Sequence, residues 1–181
     1  LDVDIQDLAD RALKSQIDTN RKIEGGCAIV MEVSTGAIRA MVNLKRDPQS
    51  GLMGESYNYA IGRKGEPGSV FKATALTILL EDKKVTLDTE MPAIVNWSFK
   101  GKPLPADTYL RNYSSISVRQ GFAISSNNVF RMQVGNNYGN NPQEYIDKLH
   151  ALRILDSIPL EIKGLANAGV RGPESPLWSP T

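Results

Sequence analysis

Glu66-Pro67-Gly68-Ser69-Val70-Phe71-Lys72-Ala73-Thr74-Ala75-Leu76-Thr77-Ile78-Leu79-Leu80 is the stretch on which the reading of this chain turns. Pro67-Gly68 punctuates the chain, and Ser69 to Leu80 is apolar on every side apart from Lys72 and a few hydroxyls. Such a run predicts a helix buried in a core. At its start Ser69 lies beside unpaired backbone N–H groups and the positive end of the helix dipole, surroundings that favour an oxyanion. Lys72, at i+3, shares the face of Ser69. An ammonium among Phe71, Leu76 and other apolar residues loses hydration, which lowers its pKa and makes a neutral amine accessible as the serine's base.

Taken alone, a serine and a lysine three apart are an N-cap and a snorkelling surface lysine. Two observations weigh against that reading here. Lys72 sits inside an otherwise apolar run, and downstream the chain carries Ser125-Ser126-Asn127, a second hydroxyl and an amide on a separate element. A nucleophile and base one turn apart, joined by that second cluster, outline an acyl-transfer site without histidine. Ser-x-x-Lys followed by Ser-x-Asn is the motif order of serine β-lactamases and penicillin-binding proteins.

The chain resembles the transpeptidase domain of a class B, monofunctional penicillin-binding protein. Thr35-Gly36-Ala37-Ile38 with Ala40-Met41 matches the family's hairpin, and Asn58-Tyr59-Ala60-Ile61 follows. Glu66-Pro67-Gly68-Ser69 with Phe71-Lys72, then Ser125-Ser126-Asn127, complete the series in the family's order. The resemblance implies a penicillin-binding/β-lactamase-like α+β fold, in which a helical cluster packs on a five-stranded antiparallel sheet. The hairpin supplies the first two strands of that sheet. The family's third motif, Lys-Thr/Ser-Gly, does not occur after Asn127, and Ser34-Thr35-Gly36 precedes the nucleophile in a hairpin-turn setting. The expectation is therefore a single domain over residues 1–181, the N-terminal and central part of a transpeptidase domain, truncated after Trp178-Ser179-Pro180-Thr181 and before the third motif and last three strands.

Carried over residue by residue, the resemblance implies that Ser69 attacks a D-alanyl-D-alanine stem peptide, Lys72 is the general base and Ser125 relays a proton to the leaving amine. Asn127 would hold Lys72 and the substrate amide, and Gly68 and Ser126 would line the substrate. The backbone N–H of Ser69 would form half of an oxyanion hole. The implied partners are peptidoglycan stem peptides and β-lactams, with cell-wall glycosyltransferases or division and elongation complexes around the parent protein. Its implied place is the bacterial cell envelope, at the outer face of the cytoplasmic membrane, tethered by an anchor outside these residues. No cofactor or metal is called for, and His150 is expected to be an ordinary helix-surface residue. Without the third motif's lysine and the second oxyanion donor, the 181-residue chain is expected to be inactive. The competing readings are a class D β-lactamase-like or β-lactam sensor domain, which usually carries valine where this chain has Asn127, and a non-catalytic binding or scaffold relative.

Composition fits one globular domain: 181 residues, 41% hydrophobic and 23% charged. A net charge of +1, with no basic run interleaved with aromatics, argues against a nucleic-acid partner. No stretch approaches the roughly 18 consecutive apolar residues of a membrane span, and nothing at Leu1 resembles a signal peptide. The single Cys27 is expected to be a buried small hydrophobe.

Periodicity predicts an amphipathic helix over Asp4 to Ile17, with Ile5, Leu8, Ala9, Ala12, Leu13 and Ile17 on one face and Gly25-Gly26 breaking the chain after it. Cys27 to Val33 and Ala37 to Asn43 read as an antiparallel hairpin. Residues 44–66 read as a surface loop, Glu81-Asp82-Lys83-Lys84 as a solvated helix end, and 85–113 as irregular with short strands. Helices are predicted over Ser114 to Ile124, over Asn127 to Tyr138, and from Asn141-Pro142 to about Leu152. Asn136 to Asn141 reads as a turn, and strand-like pieces follow Ile154. An unpartnered inner edge on the strand from Cys27 to Val33 would favour self-association.

Overall fold

The structure is a computed structural model that describes residues 1–55 and 57–175. Its internal contacts divide the chain into two units, Leu1–Gly65 with Ile158–Asn167, and Glu66–Ser157 with the residues from Ala168 onward. Trp178 to Thr181, where the truncation was expected, lie outside the described residues.

The first unit pairs a helix with a small sheet. Helix α1 (Val3–Asp18) starts where the Asp2 side chain accepts the N–H of Ile5, the usual job of an N-cap carboxylate. Its buried stripe is narrower than expected: Ala9, Leu13 and Ile17 pack on Val42 and Leu44, whereas Leu8 and Ala12 face outward. Strands β1 (Gly25–Met31), β2 (Ile38–Arg46) and β3 (Met53–Glu55) form an antiparallel sheet in that order. The turn between β1 and β2 contains Ser34-Thr35-Gly36, with Gly36 at φ 72°, so this tripeptide serves the hairpin. From Ala40 to Leu44 every residue of β2 is buried, on both faces, and the Gln6 side chain completes the strand by exchanging two hydrogen bonds with the Met41 backbone.

Three expectations fail in this unit. Gly25-Gly26 does not interrupt the chain but opens β1, because Gly25 lies so close to β2 that a Cβ there would fall 2.4 Å from the Leu44 carbonyl. Cys27 is exposed, since its side chain leaves β1 on the face that α1 does not cover. Residues 44–66 are not only loop: β2 runs on to Arg46, β3 follows, and Tyr59–Gly62 form a short helix, α2. Arg46 ties that region down by donating to the carbonyls of Ile23 and Gly51 and to Asp18.

The second unit carries the larger core. A 3-10 turn (Gly68–Val70) leads into α3 (Phe71–Glu81), which buries Ala75, Ile78 and Leu79 against α5 (Asn127–Tyr138). Short pairs β4 (Glu90–Pro92) with β7 (Ser115–Ser117), and β5 (Ser98–Phe99) with β6 (Lys102–Pro103), span the proline-rich middle. Part of the helix expected over Ser114 to Ile124 is therefore strand, and α4 (Val118–Ala123) starts only at a capping box between Ser117 and Gln120. Helix α5 has the predicted bounds and buries Val129, Phe130, Met132 and Val134, together with Asn128, Gln133 and Tyr138. It takes in the first three residues of the expected asparagine turn, Asn136 to Tyr138. Helix α6 (Pro142–Ala151) begins with proline in its first turn and carries His150 exposed near its end.

Asp82 departs from a solvated helix end. It accepts from the Tyr138 hydroxyl at 2.8 Å and from Lys148 Nζ at 2.5 Å, tying together the ends of α3, α5 and α6. No strand forms among the described residues beyond Ile154. No described helix is long and apolar enough to cross a membrane.

Candidate active site

All four residues expected to act in catalysis lie in the second unit. Ser69 is the middle residue of the 3-10 turn, exposed, one turn ahead of α3 proper rather than its first residue. Gly68 holds the entry to that turn at φ 63°, a conformation L-residues avoid. Lys72, in the first turn of α3, reaches back to Ser69 Oγ at 3.1 Å. Its Nζ also bonds Ser125 Oγ at 3.0 Å and the Ser125 carbonyl at 2.5 Å. The Ser125 hydroxyl in turn donates to Ser69 Oγ at 3.0 Å. The three side chains thus close a triangle, each within hydrogen-bonding distance of the other two.

Ser125 owes its place to the join between α4 and α5. There α4 ends, Ser125 takes φ 56°, and Ser126 caps α5 by accepting the Val129 N–H. A non-glycine residue in the left-handed region costs on the order of 1–3 kcal/mol, and such residues persist where the surroundings over-determine them. The two helices come close because Gly121 of α4 faces Val129 of α5, where a Cβ would meet the valine methyls at 2.7 Å.

Burial lowers the Lys72 pKa below the ordinary lysine value; the nearby Asp107 carboxylate raises it and the Arg131 guanidinium lowers it further. The net direction favours the neutral amine. In the arrangement seen, the ammonium donates to both hydroxyls. On losing a proton it can turn its lone pair toward Ser69 Oγ across the same 3.1 Å.

The two remaining members of the second cluster are placed differently. Asn127 is the first residue of α5, exposed, and Lys72 spends its hydrogen bonds on Ser69 and Ser125 rather than on Asn127. Ser126, expected to touch substrate, is 0% exposed; its hydroxyl donates to Asp107 Oδ2 at 2.7 Å. That burial removes it from the substrate surface and makes it part of the support.

Sequence reasoning missed that support. Asp107 is buried behind the cluster and also accepts the Asn128 backbone N–H at 2.9 Å. Asn128 donates to the carbonyls of Ile94 and Val95, both at 2.8 Å. Arg131 carried a weak signal at most: it stands between the buried Phe130 and Met132, but in a helix that also carries four asparagines and a glutamine. Asp107 carried none, lying in a stretch without period.

The family model described as penicillin binding protein transpeptidase domain matches residues 26–152. Among solved structures, the chain is similar to a peptidoglycan glycosyltransferase from Burkholderia ambifaria, at 22% identity and a TM-score of 0.77, covering 95% of this chain and 50% of that one. It is also similar to the TP domain of Burkholderia pseudomallei penicillin-binding protein 3, at 21% identity and a TM-score of 0.77, covering 95% and 47%. The D,D-transpeptidase domain of a peptidoglycan glycosyltransferase from Eggerthella lenta gives 25% identity and a TM-score of 0.61, covering 88% and 39%. The chain therefore spans about half the length, or less, of these structures. No curated protein sequence matches it.

Proposed function

The chain belongs to the penicillin-binding protein transpeptidase domain family, and from that premise we propose that it carries the acylating serine and its base in a class B peptidoglycan D,D-transpeptidase of the bacterial cell envelope. The observation that carries this reading is the closed triangle of Ser69, Lys72 and Ser125, with Lys72 Nζ at 3.1 Å and 3.0 Å from the two hydroxyls.

The neutral amine of Lys72 takes the proton of Ser69 Oγ as that oxygen attacks the carbonyl of the penultimate D-alanine. The tetrahedral oxyanion is held by the backbone N–H of Ser69 and a second donor. As the C–N bond breaks, Ser125 passes a proton from the Lys72 ammonium to the leaving D-alanine. An amine of another stem peptide then attacks the acyl-serine and restores Ser69 with its proton. Asn127, at the exposed start of α5, is the group for the substrate amide. A β-lactam enters the same cycle at Ser69 and stalls it as the acyl-enzyme. Hydrolysis of that adduct, as in a β-lactamase, is the competing outcome and is read from the deacylation rate.

The acylating unit needs a Lys-Thr/Ser-Gly strand, which these 181 residues do not contain after Asn127. Mass spectrometry after incubation with benzylpenicillin tests the proposal. The expected result is one covalent adduct on Ser69 when the chain is expressed within a reading frame that supplies that motif, none after Ser69→Ala, and none with the 181 residues alone. Loss of one oxyanion donor alone costs on the order of a hundredfold to a thousandfold in rate. Labelling elsewhere than Ser69, or undiminished labelling of Ser69→Ala, would sink the assignment. Stoichiometric labelling of the 181-residue chain would show that acylation of Ser69 does not require a Lys-Thr/Ser-Gly motif. Self-association through β1, one of the two edge strands of its sheet, belongs to the same proposal.

A further inference from the structure

Behind the serine and lysine triangle lies a buried polar set that the acyl-transfer steps leave unused. Asp107, 3% exposed, accepts the Ser126 hydroxyl and the Asn128 N–H with Oδ2. Arg131, one turn along α5, donates through Nη1 to Asn128 Oδ1 at 3.2 Å and to the Pro105 carbonyl at 3.0 Å. The Asp107 N–H itself is bonded to the Val95 carbonyl at 2.9 Å. Three segments, around residues 94–95, 105–107 and 126–131, are thereby locked together. Two side-chain atoms in this set are buried without a hydrogen-bond partner, Asp107 Oδ1 and Arg131 Nε. They belong to opposite charges within electrostatic reach of each other. A buried polar atom left without a partner is costly, so its retention asks for a reason.

We propose that Asp107 and Arg131 are a pair of positioning residues: the carboxylate clamps the first turn of α5 so that Ser125 keeps its left-handed turn against Lys72, and the guanidinium braces the clamp from one turn further on. The proposal rests on the acyl-transfer reading of Ser69 and Lys72. A neutral acceptor would supply the hydrogen bonds alone, whereas an ionised pair also acts on the amine. Asp107 favours the ammonium form of Lys72 and Arg131 the neutral form. The other groups against Nζ are the Ser69 and Ser125 hydroxyls and the Ser125 carbonyl, which keep their charge state throughout the range in which lysine titrates.

Competitive acetic anhydride labelling of the 181-residue chain across pH, read by peptide mass spectrometry, tests the pair at the Lys72 amine without any need for Ser69 to react. Asp107→Asn keeps an acceptor oxygen and removes the charge, so the Lys72 labelling curve should move to lower pH. Arg131→Met should move it to higher pH, and Lys148, bonded to Asp82, serves as an unmoved reference in both. Asp107→Ala, which removes the acceptor as well, should speed amide hydrogen exchange at Asn128 and Val129, whose N–H groups depend on Asp107 and Ser126. Opposite shifts together with faster exchange support the pair. Unmoved curves, shifts of one sign in both variants as general loosening would give, or unchanged exchange overturn it. Should the Asp107 variants fail to fold, the direction of the Arg131→Met curve decides. A failed penicillin experiment on Ser69 would remove the acyl-transfer reading and leave these curves to judge the pair separately.

Discussion

Gly68 and Ser125 sit on either side of Lys72 in the left-handed region, at φ 63° and 56°, and they do so for different reasons. A Cβ at Gly68 would meet nothing within 4 Å, so space is not what requires glycine there. The requirement is the backbone alone, which turns the chain so that Ser69 faces Lys72. Gly68→Ala should destabilise the fold by about 1–2 kcal/mol, the cost of a left-handed alanine. Urea unfolding measures it, and an unchanged midpoint would mean the turn relaxes to negative φ without penalty. Ser125 bears the same conformation with a side chain, held there by two hydrogen bonds from the Lys72 amine to its hydroxyl and carbonyl.

Among the secondary-structure elements, α3, α5 and α6 are joined at one end by Asp82. The Lys148 ammonium, then the Tyr138 hydroxyl, hold its carboxylate below the ordinary 3.8, and the same contact raises Lys148 above its ordinary 10.5. The signs set the window. A depressed carboxylate contributes fully above 3.8 and loses its contribution as pH falls through its lowered folded value. A raised ammonium contributes fully below 10.5 and loses its contribution as pH rises through its raised folded value. Asp82→Asn should therefore lower stability by a constant amount between those limits, with the gap to wild type closing in acid. Denaturant midpoints from about pH 2, below the ordinary carboxylate pKa, to about pH 9 would check this. A gap that persists unchanged in acid would show that packing, not the ion pair, carries the effect. At the other end of α5, the close approach of Gly121 to Val129 sets the sharp turn that delivers Ser125.

For the molecule as a whole, the consequential surface is the free edge of β1, the inner edge of the expected larger sheet. Ile29, Val30 and Met31 are exposed on that strand, and among the described residues it pairs only with β2. Open apolar edges recruit other strands. The 181-residue chain should scatter light as a species larger than a monomer, and Val30→Lys should return it toward monomer. A monodisperse wild-type monomer would remove the edge as an interaction surface.

What could be read before any coordinates was local. Serine and lysine at i and i+3 share a helix face whatever the rest of the chain does, the apolar run marked α3 as core, and the hairpin and α5 followed from short-range patterning. Where local pattern and long-range contact compete, that reading failed: Gly25-Gly26 became strand because β2 lies against them, and Cys27 faced outward because α1 covers the other side. Asp82, Asp107 and Asn128 were beyond reach for the same reason. A carboxylate has no period to betray it, and its meaning arises only when segments far apart in the chain remove it from water and bring it donors. The convergence of Ser125 on Ser69 and Lys72 belongs to that second class: motif order suggested it, but the contact exists because the buried bonds of Asp107 and the Gly121 approach hold the α4–α5 turn in place.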